Sequence, residues 1–152
     1  MSSFLHDTPP AEPVPSARSP RAAAPAPPLV EAAIVSFNTR EILRTAIESL
    51  QAHQPPDHVA HLRISVLDNG SSDGSAEMVG TEFADVNLIQ SPRNLGFGEA
   101  NNTIARQSEA DYLLFLNSDV VVTQDLVAPL VAALARDPTA IVASPRLIWP
   151  DG

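Results

Sequence analysis

The chain has no cysteine and no lysine; its nine basic residues are all arginine. Without cysteine there is no thiol nucleophile, no disulfide and no thiolate zinc site. Without lysine there is no Walker-type phosphate lysine and no Schiff-base chemistry. Positive charge is scarce altogether: nine basic residues face eighteen acidic ones, a net charge of −9 and a pI near 4.6. That balance is the reverse of a phosphate-gathering surface, so no nucleic-acid partner is expected. Long apolar runs are missing too. None approaches the roughly 20 residues that span a bilayer, and residues 1–7 lack the basic-then-apolar pattern of a secretory signal. The expectation is a soluble, cytoplasmic chain with no transmembrane segment, peripheral contact with the inner face of the membrane being left open.

Proline, by contrast, is abundant, and eight of the fifteen prolines fall within residues 9–28, among alanine and serine. A stretch so poor in large apolar side chains cannot offset its ordering entropy, so residues 1–29 are expected to form a disordered tail. The remaining residues, 30–152, suffice for one domain with a single core. Short β-rich apolar runs alternate there with segments of helical period, the signature of an α/β fold with a mostly parallel sheet flanked by helices. Strands are predicted at residues 32–37, 62–67, 86–89 and 112–116, with a possible fifth at 141–143. Helices are predicted from Asn38 or Thr39 to a stop before Pro55, at 75–82, at 98–108 and at 124–136, where Pro129 is tolerable only near the first turn.

Ligands of open α/β sheets bind beyond the carboxyl ends of the strands, and that is where the unusual polar residues of this chain collect. The strand ends carry Ser36-Phe37-Asn38, the Asp68-Asn69-Gly70 turn that runs on to Ser75, the Asn94-Leu95-Gly96-Phe97-Gly98 segment, and Asn117-Ser118-Asp119. Asp68, at the exit of a buried strand, can accept from a nucleobase N–H or a ribose hydroxyl or serve as a turn residue, whereas Asp73 is read as ordinary turn and cap chemistry. Gly96 and Gly98 let backbone amides approach an anion or simply make a tight loop. The segment from Asn94 to Asn102 partly mimics a dinucleotide fingerprint, yet Asn101 occupies a position that wants Gly or Ala. Asp119 lies between two hydrophobic runs, and a lone carboxylate there can hold Mg or Mn on a diphosphate or be an ordinary loop residue. His53, His58 and His61 flank Pro55-Pro56 at the other end of the sheet and are not read as a metal site.

Taken together, the segments around Ser36 to Glu41, Val66 to Ser75, Asn94 to Asn102, Leu116 to Val120 and Pro145 to Gly152 resemble family 2 glycosyltransferases, in particular the rhamnosyltransferase-like branch. The resemblance implies the GT-A (Rossmann-like) form of the α/β fold. It implies transfer of a sugar from a nucleotide-diphosphate sugar to a glycan or lipid-linked acceptor in cell-surface polysaccharide synthesis, with inversion and with a divalent metal, Mg or Mn. Donor-binding residues would be Ser36, Asn38, Asp68, Asn69, Asn94, Gly96, Asn101 and Asn117, with Asp119 as the metal ligand. The family's acidic pair appears here as Asn117-Ser118-Asp119, with one carboxylate. Similar enzymes continue past Pro150-Asp151-Gly152, so 30–152 is expected to be the donor-binding half, C-terminally incomplete, with the general base beyond Gly152. A non-catalytic nucleotide-binding remnant and, more remotely, a nicotinamide-binding domain are the alternatives. Self-association through an uncovered sheet edge is also expected.

Overall fold

β1 (Leu29–Ser36) is one of the two interior strands of the sheet, and it is buried along nearly its whole length. A computed structural model describes residues 26–148, so the expected tail lies almost wholly outside the described residues, as do Trp149 and the Pro150-Asp151-Gly152 segment. The order along the chain is β1, α1 (Arg40–Ala52), β2 (His61–Asp68), α2 (Ser75–Glu82), β3 (Asn87–Gln90), α3 (Phe97–Gln107), β4 (Tyr112–Asn117) and α4 (Val127–Arg136). The four strands form one parallel sheet in the order β3-β2-β1-β4. Both faces of β1 are covered, which is why its sequence reads as a near-continuous apolar run rather than an alternating one.

Alternate residues of the strands feed two cores. Ala32 and Ile34 of β1, with Ile64 and Val66 of β2, meet α1 and α2 on one face. Ala33 of β1 and Leu67 of β2 meet Ala100 and Ile104 of α3 on the other. In α1, Leu43, Ile47 and Leu50 share one stripe and are fully buried; burial of each contributes roughly 1.5–3 kcal/mol. Arg44 ties α1 to α2 through a two-pronged ion pair with Glu82, both bonds at 2.8 Å.

The α/β class and the parallel sheet match the expectation. Three local expectations do not hold. β1 starts at Leu29 rather than Ala32, at the end of the expected tail, because Leu29 and Val30 already pair with His61 and Leu62 of β2. α4 starts at Val127 rather than Gln124, because the Asp125 carboxylate accepts from the amides of Val127 and Ala128 and halts the helix there. Pro129 thereby falls in the first turn, where its missing N–H costs no bond. Residues 141–143 form no strand: Ile141 is 92% exposed, and among the described residues nothing pairs with it. A strand needs a neighbouring ladder, and apolar β-branched residues alone do not supply one.

The chain builds outward from β1 to β2 and β3, then crosses to β4 on the other side. The order of strands reverses at β1, and beyond the carboxyl ends at such a switch point open α/β sheets hold their ligand crevice.

Candidate functional site at the carboxyl ends of the strands

The loop after β1 and the loop after β2 are sewn together by reciprocal bonds. Asn38 sits at φ 55°, a left-handed conformation that asparagine tolerates better than most residues. Its amide donates to Ser71 Oγ at 2.9 Å, and its side-chain oxygen accepts from the Ser72 amide at 2.8 Å. Asp73 serves two helices at once. One carboxylate oxygen accepts from the Arg40 amide at the start of α1, the other from the amide and hydroxyl of Ser75 at the start of α2. The hydroxyl of Ser75, with these backbone donors, holds the Asp73 carboxyl below the usual carboxylate range. The cap chemistry read for Asp73 is thus what the geometry displays.

A second set of bonds joins the loop after β2 to the one after β3. The Asn69 side chain, 3% exposed, donates to Asn94 Oδ1 at 3.0 Å and accepts from the Leu95 amide at 2.8 Å. Asn94 Oδ1 also takes the Gly96 amide at 2.8 Å. The side-chain oxygens of Asn69 and Asn94 and the Asn69 amide nitrogen thus brace the turn that opens α3. Asn101 is buried in the first turns of that helix and donates to the Phe97 carbonyl. Gly96, at φ 80°, has open space around it.

Asp68 differs from all of these. It is 4% exposed, and one oxygen accepts from the Ser71 amide at 3.0 Å. The other oxygen, Oδ1, is buried with no hydrogen-bond partner. An orphaned buried acceptor costs roughly 1–3 kcal/mol, so its retention in a loop that is otherwise closely bonded calls for an external donor.

β4 completes the crevice. Val35 of β1 lies level with Asn117, as Ser36 lies level with Asp68, so Asp68 and the Asn117-Ser118-Asp119 turn flank the same strand end. Strands two apart lie roughly 10 Å from each other. The turn closes with a bond from the Val120 amide to the Asn117 carbonyl at 3.2 Å, leaving Asn117 and Asp119 exposed. Thr39 ties the turn down: its hydroxyl lies 2.9 Å from that of Ser36, which is fully buried, and donates to Ser118 at 3.3 Å.

The structure therefore gathers Asn38, Asp68, Asn69, Asn94, Asn117 and Asp119 at the carboxyl ends of the strands, while Ser36 is fully buried there and Asn101 is buried in α3 with its amide spent on the Phe97 carbonyl. Thr39 and Ser118, which also belong to the site, are 79 positions apart, and no local pattern in the sequence links them. Two cavities, about 370 and 440 Å³, lie elsewhere, toward the amino end of β2. The first is lined by Glu31 and Arg63, whose charges are paired with each other.

Comparison with known proteins bears on this arrangement. An uncharacterized glycosyltransferase of Bacillus subtilis, YfnE, is 30% identical over 118 residues, covering 76% of this chain and 29% of the relative. An N-acetylglucosaminyl-diphospho-decaprenol L-rhamnosyltransferase of Mycobacterium tuberculosis is 33% identical over 102 residues, covering 59% of this chain and 33% of the relative. The chain thus spans about a third of the length of these curated relatives. Among solved structures, a mannosyltransferase of Pyrobaculum calidifontis in complex with GDP-Man and Mn2+ superposes with a TM-score of 0.65 at 23% identity, over 80% of this chain and 37% of that one. TarS of S. aureus in complex with UDP-GlcNAc gives 0.62 at 19%, over 70% and 31%. The fold is that of the GT-A glycosyltransferases. The model of the family described as Glycosyl transferase family 2 matches residues 32–152, a span that takes in every loop of the crevice, and the chain belongs to that family.

Proposed function

We propose that this chain is the donor-binding part of a glycosyltransferase: the carboxyl ends of β1, β2 and β4 hold a nucleotide-diphosphate sugar, whose sugar passes to an acceptor hydroxyl on a glycan or lipid-linked molecule in cell-surface polysaccharide synthesis. The observation that carries the reading is the buried, unpartnered Oδ1 of Asp68. A carboxylate oxygen accepts hydrogen bonds, so a base N–H or a ribose hydroxyl suits it as the missing donor. Asn38 and the Asn69–Asn94 clasp fix the loops around it. The rhamnosyltransferase relative and the mannosyltransferase neighbour solved with GDP-Man and Mn2+ support the same reading.

Asp119 is suited to a hard divalent cation, Mg or Mn, which takes one or two carboxylates and fills its remaining positions with phosphate oxygens and water. When bound, such an ion stabilises the charge that develops on the departing nucleoside diphosphate. A neutral amide at Asn117 leaves Asp119 the one carboxylate of the turn. The acceptor hydroxyl, deprotonated by a carboxylate base, attacks the anomeric carbon opposite the leaving group and inverts its configuration. Cytoplasmic placement, with peripheral contact at the inner membrane face, belongs to this proposal and is checked by cell fractionation. No helix among the described residues is long and apolar enough to cross a membrane.

Calorimetric titration with UDP, dTDP and GDP, each with and without Mn2+, tests the reading. At least one should bind, and Mn2+ should tighten it. Asp119→Asn should remove the metal dependence, and Asp68→Ala should weaken nucleotide binding roughly tenfold or more. Failure of all three nucleotides sinks the proposal, and preferential metal-independent binding of NAD replaces it with a dinucleotide site. The single carboxylate of the Asn117-Ser118-Asp119 turn favours testing a second reading, a non-catalytic nucleotide-binding remnant. Turnover of labelled nucleotide sugars, by this chain or a longer polypeptide containing it, separates the two.

A further inference from the structure

The turn that carries Asp119 is tied to β1 through hydroxyl groups. Ser36 Oγ lies 2.9 Å from Thr39 Oγ1, and Thr39 Oγ1 donates to Ser118 Oγ at 3.3 Å. A hydroxyl has one proton and two lone pairs. The proton of Thr39 is committed to Ser118, so the bond between Ser36 and Thr39 uses the proton of Ser36. The chain of donation runs from the buried strand end outward, and it ends at an acceptor, Ser118. The proton of Ser118 is left without a partner in this trio. The Val120-to-Asn117 bond makes Ser118 and Asp119 the two central residues of the turn, so the free O–H adjoins the exposed carboxylate.

We propose that Ser118 is a further anion-binding residue of the crevice. It donates its unused proton to a phosphate oxygen of the nucleoside diphosphate, while Ser36 and Thr39 act as positioning residues that aim it. The inference rests on the donor-site reading above. It has a plain electrostatic logic: a bare carboxylate at Asp119 repels a diphosphate, whereas a neutral hydroxyl next to it attracts one without adding charge. A hydrogen bond from a hydroxyl to an anionic oxygen is among the stronger ones, about twice a neutral pair.

The test compares wild type with Ser118→Ala, Thr39→Val and Thr39→Ser. Each is titrated with whichever of UDP, dTDP and GDP binds wild type, and with the matching nucleoside, followed by NMR. Ser118→Ala should lose roughly ten- to a hundredfold in affinity for the diphosphate and nothing for the nucleoside. Thr39→Val should lose part of the same affinity, and Thr39→Ser, which keeps the hydroxyl, should regain it. Unchanged diphosphate binding by Ser118→Ala overturns this inference and leaves the donor site intact. Equal losses for diphosphate and nucleoside overturn it as well, since they indicate a packing defect. Absence of diphosphate binding by wild type sinks the donor-site reading and this inference together.

Discussion

At the scale of single residues, Gly70 and Glu31 show how narrowly the site and its support are specified. Gly70 has φ +83°, and a Cβ built on it would lie 2.9 Å from the backbone carbon of Arg93. Backbone cannot step aside as a flexible side chain can. Gly70→Ala should therefore cost about 2 kcal/mol or more, read as a drop in the urea midpoint, and should weaken nucleotide binding because two crevice loops separate. The Asp68-Asn69-Gly70 turn was legible from its residue types; that its glycine is needed for contact with Arg93 was not. Glu31, buried on β1, accepts from Arg63 at 2.6 Å and from the hydroxyls of Ser65 and Ser108. Burial alone would raise its pKa, but the bonds from Ser108, Ser65 and Arg63 together outweigh burial and hold the carboxyl below its ordinary value. A lowered folded-state value means stability present above the unfolded value, about 4.3, and lost as pH falls through the folded one. Stability should accordingly decline in acid below about pH 4. Glu31→Gln should flatten that decline and cost roughly 1.5–3 kcal/mol at neutral pH, measured by denaturant titration.

At the scale of elements, the helix starts carry the cohesion of the crevice. Asp73 accepts from the first amides of α1 and α2 together. Loss of one such cap typically costs ~1 kcal/mol, so Asp73→Ala should cost about 2 kcal/mol. Hydrogen exchange should then quicken at both Arg40 and Ser75; quickening at Ser75 alone would show that the bond to α1 contributes nothing. The apolar periodicity of α1 and α3 made those helices readable in advance, because amphipathic spacing is a local property of the chain. α4 starts three residues later than its hydrophobic period predicts, since Asp125 decides where it begins. The apolar residues 141–143 misled for a related reason: whether such a run becomes a strand depends on what stands beside it.

At the scale of the whole molecule, the sheet ends on β4, an apolar strand whose outer edge is unpaired among the described residues. Phe115, on the face that α3 leaves open, is 54% exposed. Neither lysine, proline nor a bulge guards this edge, and unguarded edges template further pairing. We expect concentration-dependent self-association in sedimentation velocity, strongly reduced by Phe115→Lys. A chain that stays monomeric at high concentration, or a variant that associates as wild type does, would refute the assignment of that edge.

The sequence by itself determined the α/β class, the position of most helices and strands, and the placement of polar residues at strand ends, because periodicity and turn chemistry act between near neighbours. Only the tertiary structure decided the strand order, and with it that Asp68 and Asp119 flank β1. It alone decided that one oxygen of Asp68 is left without a partner while the Asn69 side chain is used up in bracing. Parallel pairing joins segments tens of residues apart, and the satisfaction of a polar atom depends on whatever such pairing brings beside it.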